Sequence, residues 1–208
     1  MLLHYIYLMA ICAEAASGAL MGIRRDMDIF GLCLIGTVAA LGGGSVRDIL
    51  IGHYPLSWVA HPEYLAFTIC AAIVAAVGAR ALHRFKSAFL VVDALGLVAF
   101  TIIGCDIARS FSSFHPAIVV ILGMVTGVFG GLLRDVLCNQ VPLVLRREIY
   151  ASVSLLTGSL YVALLSLDLD PRIATLGSLL VGFSARLLAI RFAWQLPRMD
   201  SKQVRGFD

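Results

Sequence analysis

An apolar run of about twenty residues recurs seven times along the chain, and this constrains the fold more than any other feature. The runs fall at about 3–23, 29–51, 64–82, 88–108, 116–138, 149–167 and 173–193. A helix needs about 20 apolar residues to cross the roughly 30 Å hydrocarbon core of a bilayer, so each run has the length of one crossing. Only 14% of the 208 residues are charged, against roughly 25% in a soluble domain, which excludes a soluble fold. The expectation is an all-α integral membrane protein with seven transmembrane helices in a single domain over 1–193. A short polar tail, 194–208, follows.

The net charge of +3 is scattered over short connectors rather than gathered into a stripe, so nucleic acid is not an expected partner. Cys12, Cys33, Cys70, Cys105 and Cys138 are odd in number and lack CxxC spacing, and they read as small packing residues. His4, His53, His61, His83 and His115 sit at run ends without metal-ligand spacing, so no metal or other cofactor is expected. The chain has no GxSxG, HExxH, phosphate loop or paired carboxylates from which to argue an enzyme. Small residues at 13–19 imitate a signal-peptide cleavage site, but no Lys or Arg precedes the apolar run, and the first run is expected to remain as a helix.

Basic residues divide unevenly between the two sets of connectors. Those after runs one, three and five, together with the tail, hold Arg24, Arg25, Arg80, Arg84, Lys86, Arg134, Arg146, Arg147, Arg191, Arg198, Lys202 and Arg205; the other set has Arg47, Arg109 and Arg172. Cytoplasmic loops attract Lys and Arg, so the C-terminus is expected inside and the N-terminus outside, in the cell (inner) membrane. An odd number of crossings follows.

The chain also repeats itself. Gly43-Gly44-Ser45-Val46-Arg47-Asp48-Ile49-Leu50 aligns with Gly130-Gly131-Leu132-Leu133-Arg134-Asp135-Val136-Leu137 at an offset of 87, and Pro55-Leu56 aligns with Pro142-Leu143 at the same offset. Repeat one covers about 3–84 and repeat two about 88–168, with a seventh helix at about 173–193. Three runs per copy bring the second copy into the membrane from the opposite side. Inverted repeats of this kind are a recurrent plan for transporters, with the permeation site where interrupted helices meet near the midplane.

Gly42, Gly43 and Gly44 in the second run and Gly127, Gly130 and Gly131 in the fifth weaken otherwise good helices, at about 1 kcal/mol each relative to alanine. Either they let helices approach closely, as the four-residue spacing of Gly36, Ala40 and Gly44 and of Gly123, Gly127 and Gly131 allows, or they kink the helices beside a polar cavity. The charges that follow favour the cavity. An ionised side chain at the bilayer centre costs at least about 2.5 kcal/mol, so Arg47, Asp48, Arg134 and Asp135 are expected to face protein or water rather than lipid. Neighbours on a helix point about 100° apart, so Arg47 and Asp48 are expected to pair with other helices rather than with each other. The alternative is that Arg47 and Arg134 merely snorkel to the headgroups, as Arg186 is expected to. Asp93 and Glu14 stand alone in apolar runs; each marks an ion or proton route or is a structural partner of the arginines.

The seven runs, the doubled Gly-Gly-x-x-Arg-Asp motif with its following Pro-Leu, and Asp93-Ala94-Leu95-Gly96 resemble the prokaryotic branch of the trimeric intracellular cation (TRIC) channel family over about residues 5–193. The resemblance implies a homotrimer with a pore inside each protomer that passes potassium and other monovalent cations. It implies kinks at Gly42–Gly44 and Gly130–Gly131, with Arg47, Asp48, Arg134 and Asp135 lining or stabilising the pore. Animal members have a lysine near the second kink that this chain lacks, so their gating and lipid control do not carry over. A secondary transporter of a small neutral solute such as glycine, an activity associated with some bacterial relatives, is the alternative; a purely structural membrane protein is a third reading.

Overall fold

The computed structural model describes residues 2–79, 85–111, 113–146 and 149–194. The tail from residue 195 lies outside them, as do Arg80, His83, Arg84 and Arg147 of the connectors and the side chains of Lys86 and Arg146. Over the described residues the chain is all helical: α1 (Leu2–Ile23), α2 (Ile29–Ile51), α3 (Ser57–Ala60), α4 (Glu63–Gly78), α5 (Phe85–Phe111), α6 (Pro116–Leu137), α7 (Leu143–Arg146), α8 (Ile149–Ser166) and α9 (Pro171–Arg191).

The connectors end helices where their residues require it. Asp28 caps α2 by accepting a 2.8 Å hydrogen bond from Gly31 N, and Asp170 caps α9 in the same way from Arg172 N at 2.7 Å. Pro116 and Pro171 occupy first-turn positions, where a missing N–H costs nothing. At the other end of α2, Gly52 turns left-handed with φ of 70°, a conformation that glycine adopts without strain.

Six helices, α1, α2, α5, α6, α8 and α9, are long and apolar enough to cross a membrane. The protein is therefore a multi-pass membrane protein. Of the third run, expected at 64–82, the described part forms α4, which has 16 residues, about 24 Å at 1.5 Å per residue; residues 80–82 of that run lie outside the described set. The one-turn helices α3 and α7, which follow Pro55-Leu56 and Pro142, were not expected.

Helix α5 lies at the centre. One of its faces, with Val98, Ile102 and Cys105, packs with Val119, Tyr161 and Ala174 of α6, α8 and α9. The other, with Ala99, Phe100 and Ile103, packs with Ile11, Ala40 and Tyr64 of α1, α2 and α4. With apolar partners on both sides, α5 buries more of its length than any other candidate span.

Candidate functional site

Glycine brings α2 and α6 into backbone contact. A Cβ on Gly43 would land on the Thr126 carbonyl oxygen, and a Cβ on Gly130 would land on that of Ala39. The backbone of both helices runs on as α-helix through Gly42–Gly44 and Gly127–Gly131. The other glycines face different neighbours. Gly36 abuts the Ala15 carbonyl of α1, Gly127 abuts the Leu97 carbonyl of α5, and Gly42 lies against the Leu133 side chain of α6. The four-residue stripe seen in the sequence thus serves several interfaces, and the α2–α6 crossing itself rests on Gly43 and Gly130.

Gly44 and Gly131 have a separate part. Long side chains on a helix lean back over the preceding turn, and Arg47 and Arg134 each follow these glycines by three residues. A Cβ at Gly44 would lie 3.7 Å from Arg47 Nη2, and one at Gly131 would lie 3.4 Å from Arg134 Nη2. Each guanidinium folds back over its glycine and comes within reach of the aspartate that follows it.

This overturns the expectation that Arg47 and Asp48 do not pair with each other. Arg47 Nε and Nη2 donate to Asp48 Oδ1 at 3.0 and 2.6 Å, and Arg134 Nε donates to Asp135 Oδ1 at 2.8 Å. The 100° between adjacent side chains separates their Cβ atoms, but the arginine stem is long enough to close that gap. Nor do these residues reach for headgroups: Arg47 is 1% exposed, Arg134 0% and Arg186 3%. Arg186 lies with its guanidinium carbon 4.5 Å from the centre of the Tyr150 ring, which corrects the expectation that it snorkels.

The surroundings of the two pairs begin alike and then diverge. In each, the aspartate's second oxygen accepts a 2.8 Å hydrogen bond from the backbone of the following one-turn segment, Ser57 N for Asp48 and Leu143 N for Asp135. The helix ends close with the same backbone bonds, His53 N to Asp48 O and Gln140 N to Asp135 O, both 2.8 Å. Beyond this, Asp48 also accepts from Ser57 Oγ at 2.7 Å and sits 3.2 Å from His53 Nδ1, so the first pair is served by its own segment. Arg134 instead reaches across the protein. Its Nη1 donates to Ser17 Oγ of α1 at 2.6 Å and to Asp93 Oδ1 of α5 at 2.8 Å, and it lies 3.6 Å from Glu14 Oε2 of α1. The Phe89 ring covers the guanidinium at 4.8 Å. The expected pairing with other helices and with the other half of the chain therefore holds for Arg134.

The two pairs lie toward opposite ends of α5. His53, beside Asp48, meets Phe111 with ring centroids 5.4 Å apart, whereas Arg134 meets Asp93. Those 18 residues span about 27 Å of helix. At the Phe111 end a cavity of about 390 Å³ is lined by His4, His53, His61, Tyr7, Asp106 and Ser57, among others. Three histidines scattered in sequence thus share one mouth. Among the described residues no group of three or more His, Cys, Asp or Glu could hold a metal ion.

Sequence reasoning missed Ser17, Tyr150 and Gly96 as members of the second cluster. Ser17 and Tyr150 carry no charge and sit in ordinary helical context. Gly96 had a faint signal, being a glycine one turn beyond Asp93 in an apolar run; a Cβ there would strike the Glu14 carboxylate.

Comparison with known proteins adds the family. The family model described as Glycine transporter matches residues 4–80 and 90–166. The inner membrane protein YadS of Escherichia coli, a UPF0126 protein, is 34% identical over 200 residues, covering 95% of this chain and 96% of the relative. The TRIC orthologue from Rhodobacter sphaeroides has a solved structure that superposes with a TM-score of 0.89 at 30% identity, covering 93% of this chain and 99% of that one. The chain is a prokaryotic member of the TRIC family. A second solved TRIC protein, a prokaryotic channel in 0.5 M KCl, matches with a TM-score of 0.87 at 31% identity over 94% and 99% of the two chains. Each of these likenesses covers more than nine-tenths of this TRIC chain.

Proposed function

We propose that the chain forms a channel for monovalent cations, potassium among them, with a permeation path inside each protomer of a homotrimer and no enzymatic activity. The observation that carries this reading is the pair of fully buried Arg-Asp clusters near opposite ends of two helices that cross at glycine. Structural packing alone does not call for two ionised pairs in apolar helices, whereas a path with two polar ends does. The solved relatives, described as cation channels, support the same class.

In this reading the two halves are inverted repeats, α1, α2 and α4 against α5, α6 and α8, with α9 as the seventh crossing of one transmembrane domain over 1–193. The two equal-length segments matched by the family model support that division. The contact of Gly43 with Thr126 and of Gly130 with Ala39 is the closed constriction, and opening bends α2 and α6 at Gly42–Gly44 and Gly127–Gly131. Arg47, Asp48, Arg134, Asp135, Asp93 and Glu14 line or hold the two ends, and membrane lipids cover the outer faces. The N-terminus lies outside the inner membrane and the tail in the cytoplasm, following the distribution of basic residues.

The family model's description favours a second reading, a carrier of glycine. Inverted repeats serve either, since rocking one half against the other gives alternating access. Purified protein in a planar bilayer decides between them. Unitary currents that reverse near the potassium equilibrium potential, changed by substituting Arg47 and Arg134 with alanine, support the channel; saturable, electrically silent glycine uptake into vesicles supports the carrier and rejects the channel.

A further inference from the structure

The cluster around Arg134 holds more negative groups than its guanidinium can serve. Glu14 on α1, Asp93 on α5 and Asp135 on α6 all lie within ion-pair distance of Arg134, and all are at most 2% exposed. Arg134 Nε is taken by Asp135, and both protons of Nη1 are taken by Ser17 and Asp93. That leaves Glu14 at 3.6 Å from a nitrogen with no proton to offer it. Neither of its carboxylate oxygens has a hydrogen-bond partner, and neither has Asp93 Oδ2. The Tyr150 hydroxyl, also buried and unpartnered, lies over the same glycine as the guanidinium: a Cβ on Gly131 would lie 3.2 Å from it and 3.4 Å from Arg134 Nη2.

A buried carboxylate without a donor costs several kcal/mol, and such groups take up a proton or a counter-ion instead. Space decides which of these it is. The Glu14 side chain is pressed onto the Gly96 backbone so closely that a Cβ at 96 would lie 2.5 Å from its Cγ and nearer still to its Oε1. A metal cation needs a shell of several oxygens around it, and the Gly96 backbone closes the Oε1 side of this carboxylate to one; a proton needs none.

We propose that Glu14 and Asp93 form a one-proton binding site on Arg134. The proton resides on a Glu14 oxygen and is offered to Asp93 Oδ2, an acceptor without a donor on the other acid held at Arg134 Nη1. With the proton bound, two carboxylates, Asp135 and Asp93, share the guanidinium. When it leaves, Glu14 becomes a further full negative charge on the same guanidinium, whose Nη2 has no acceptor and is the place for it to go. The groups that set this balance are Glu14 and Ser17 on α1, Asp93 on α5, Arg134 and Asp135 on α6, Tyr150 on α8 and Arg186 on α9 over the Tyr150 ring. Helices α2 and α4 also pack on α1, but their charged residues, Arg47, Asp48 and Glu63, lie toward their other ends.

Infrared spectra of the purified protein in H2O and D2O test this without any transport assay, so the outcome is separate from that of the channel reading. The wild-type protein at neutral pH is expected to show the carbonyl stretch of a protonated, buried carboxyl group, shifted by deuterium. Either Glu14→Gln or Asp93→Asn alone is expected to abolish it, because removing one acid leaves two carboxylates on Arg134, the same load that the proton-bound site carries. Absence of the band from the wild-type protein overturns the proposal, and that result needs no variant to fold. A band lost in Glu14→Gln but kept in Asp93→Asn overturns the shared site, as does a band that survives both.

Discussion

Replacing Arg134 and Arg47 with glutamine, one at a time, is expected to cost the fold unequally, although the two occupy matching positions in the repeat. Without Arg47, Asp48 keeps three partners: Ser57 N at 2.8 Å, Ser57 Oγ at 2.7 Å and His53 Nδ1 at 3.2 Å. What is lost is a charge-assisted hydrogen-bonded pair whose acceptor remains satisfied, about 1.5–3 kcal/mol. Without Arg134, Asp93 Oδ1 loses its hydrogen-bond partner, and Ser17, Glu14 and Asp135 lose their shared cation. Removing one member of a buried ion pair costs about 3–5 kcal/mol, because the other charge is left stranded. The expected gap is about 2 kcal/mol, read as the difference in unfolding free energy from titrating the purified variants with denaturing detergent. Adding Asp93→Asn to Arg134→Gln removes the stranded charge and should return about 1–3 kcal/mol, as contacting residues do in a double-mutant cycle. Equal losses at the two arginines, or strict additivity of Arg134→Gln with Asp93→Asn, would refute the reasoning.

Gly43→Ala puts a methyl group on the Thr126 carbonyl and should destabilise by about 1–3 kcal/mol, whereas Gly44→Ala meets only the Arg47 Nη2 atom at 3.7 Å and should be neutral or stabilising by up to about 1 kcal/mol; detergent melts of the two variants side by side check this. Gly96→Ala is expected to expel the Glu14 carboxyl from its seat, seen as a lower melting temperature that Glu14→Ala in the same chain partly restores. Tyr150→Phe removes an unpartnered buried hydroxyl and should leave stability unchanged or raised, while Tyr161→Phe breaks a 2.8 Å hydrogen bond to Asp106 and should cost about 1–2 kcal/mol in the same melts.

The membrane class, the helix order and the boundaries of most spans were legible in the chain because they follow from a local rule, the length of each apolar run. The α2 run expected at 29–51 is the helix found there, and α6, α8 and α9 fall within two residues of their expected limits. The doubled Gly-Gly-x-x-Arg-Asp motif identified Gly43, Gly44, Gly130 and Gly131 and the two charged pairs for the same reason, since a repeat is a property of order along the chain. Where the expectation failed, it assumed that side-chain direction alone decides who pairs, and the reach of arginine over a glycine three residues earlier decided otherwise.

Tertiary structure alone settled which glycine does what and how the two copies differ. Nothing in the order of residues separates Gly43, pressed on a carbonyl, from Gly44, which gives room to a guanidinium, because the difference lies in what the opposite helix presents. Nor could the chain show that Arg134 gathers Ser17, Glu14 and Asp93 from helices far away in sequence while Arg47 is satisfied by its own segment. Apolar periodicity and repeats are written along one helix at a time; the balance of buried charge depends on which helices meet, and only packing determines that.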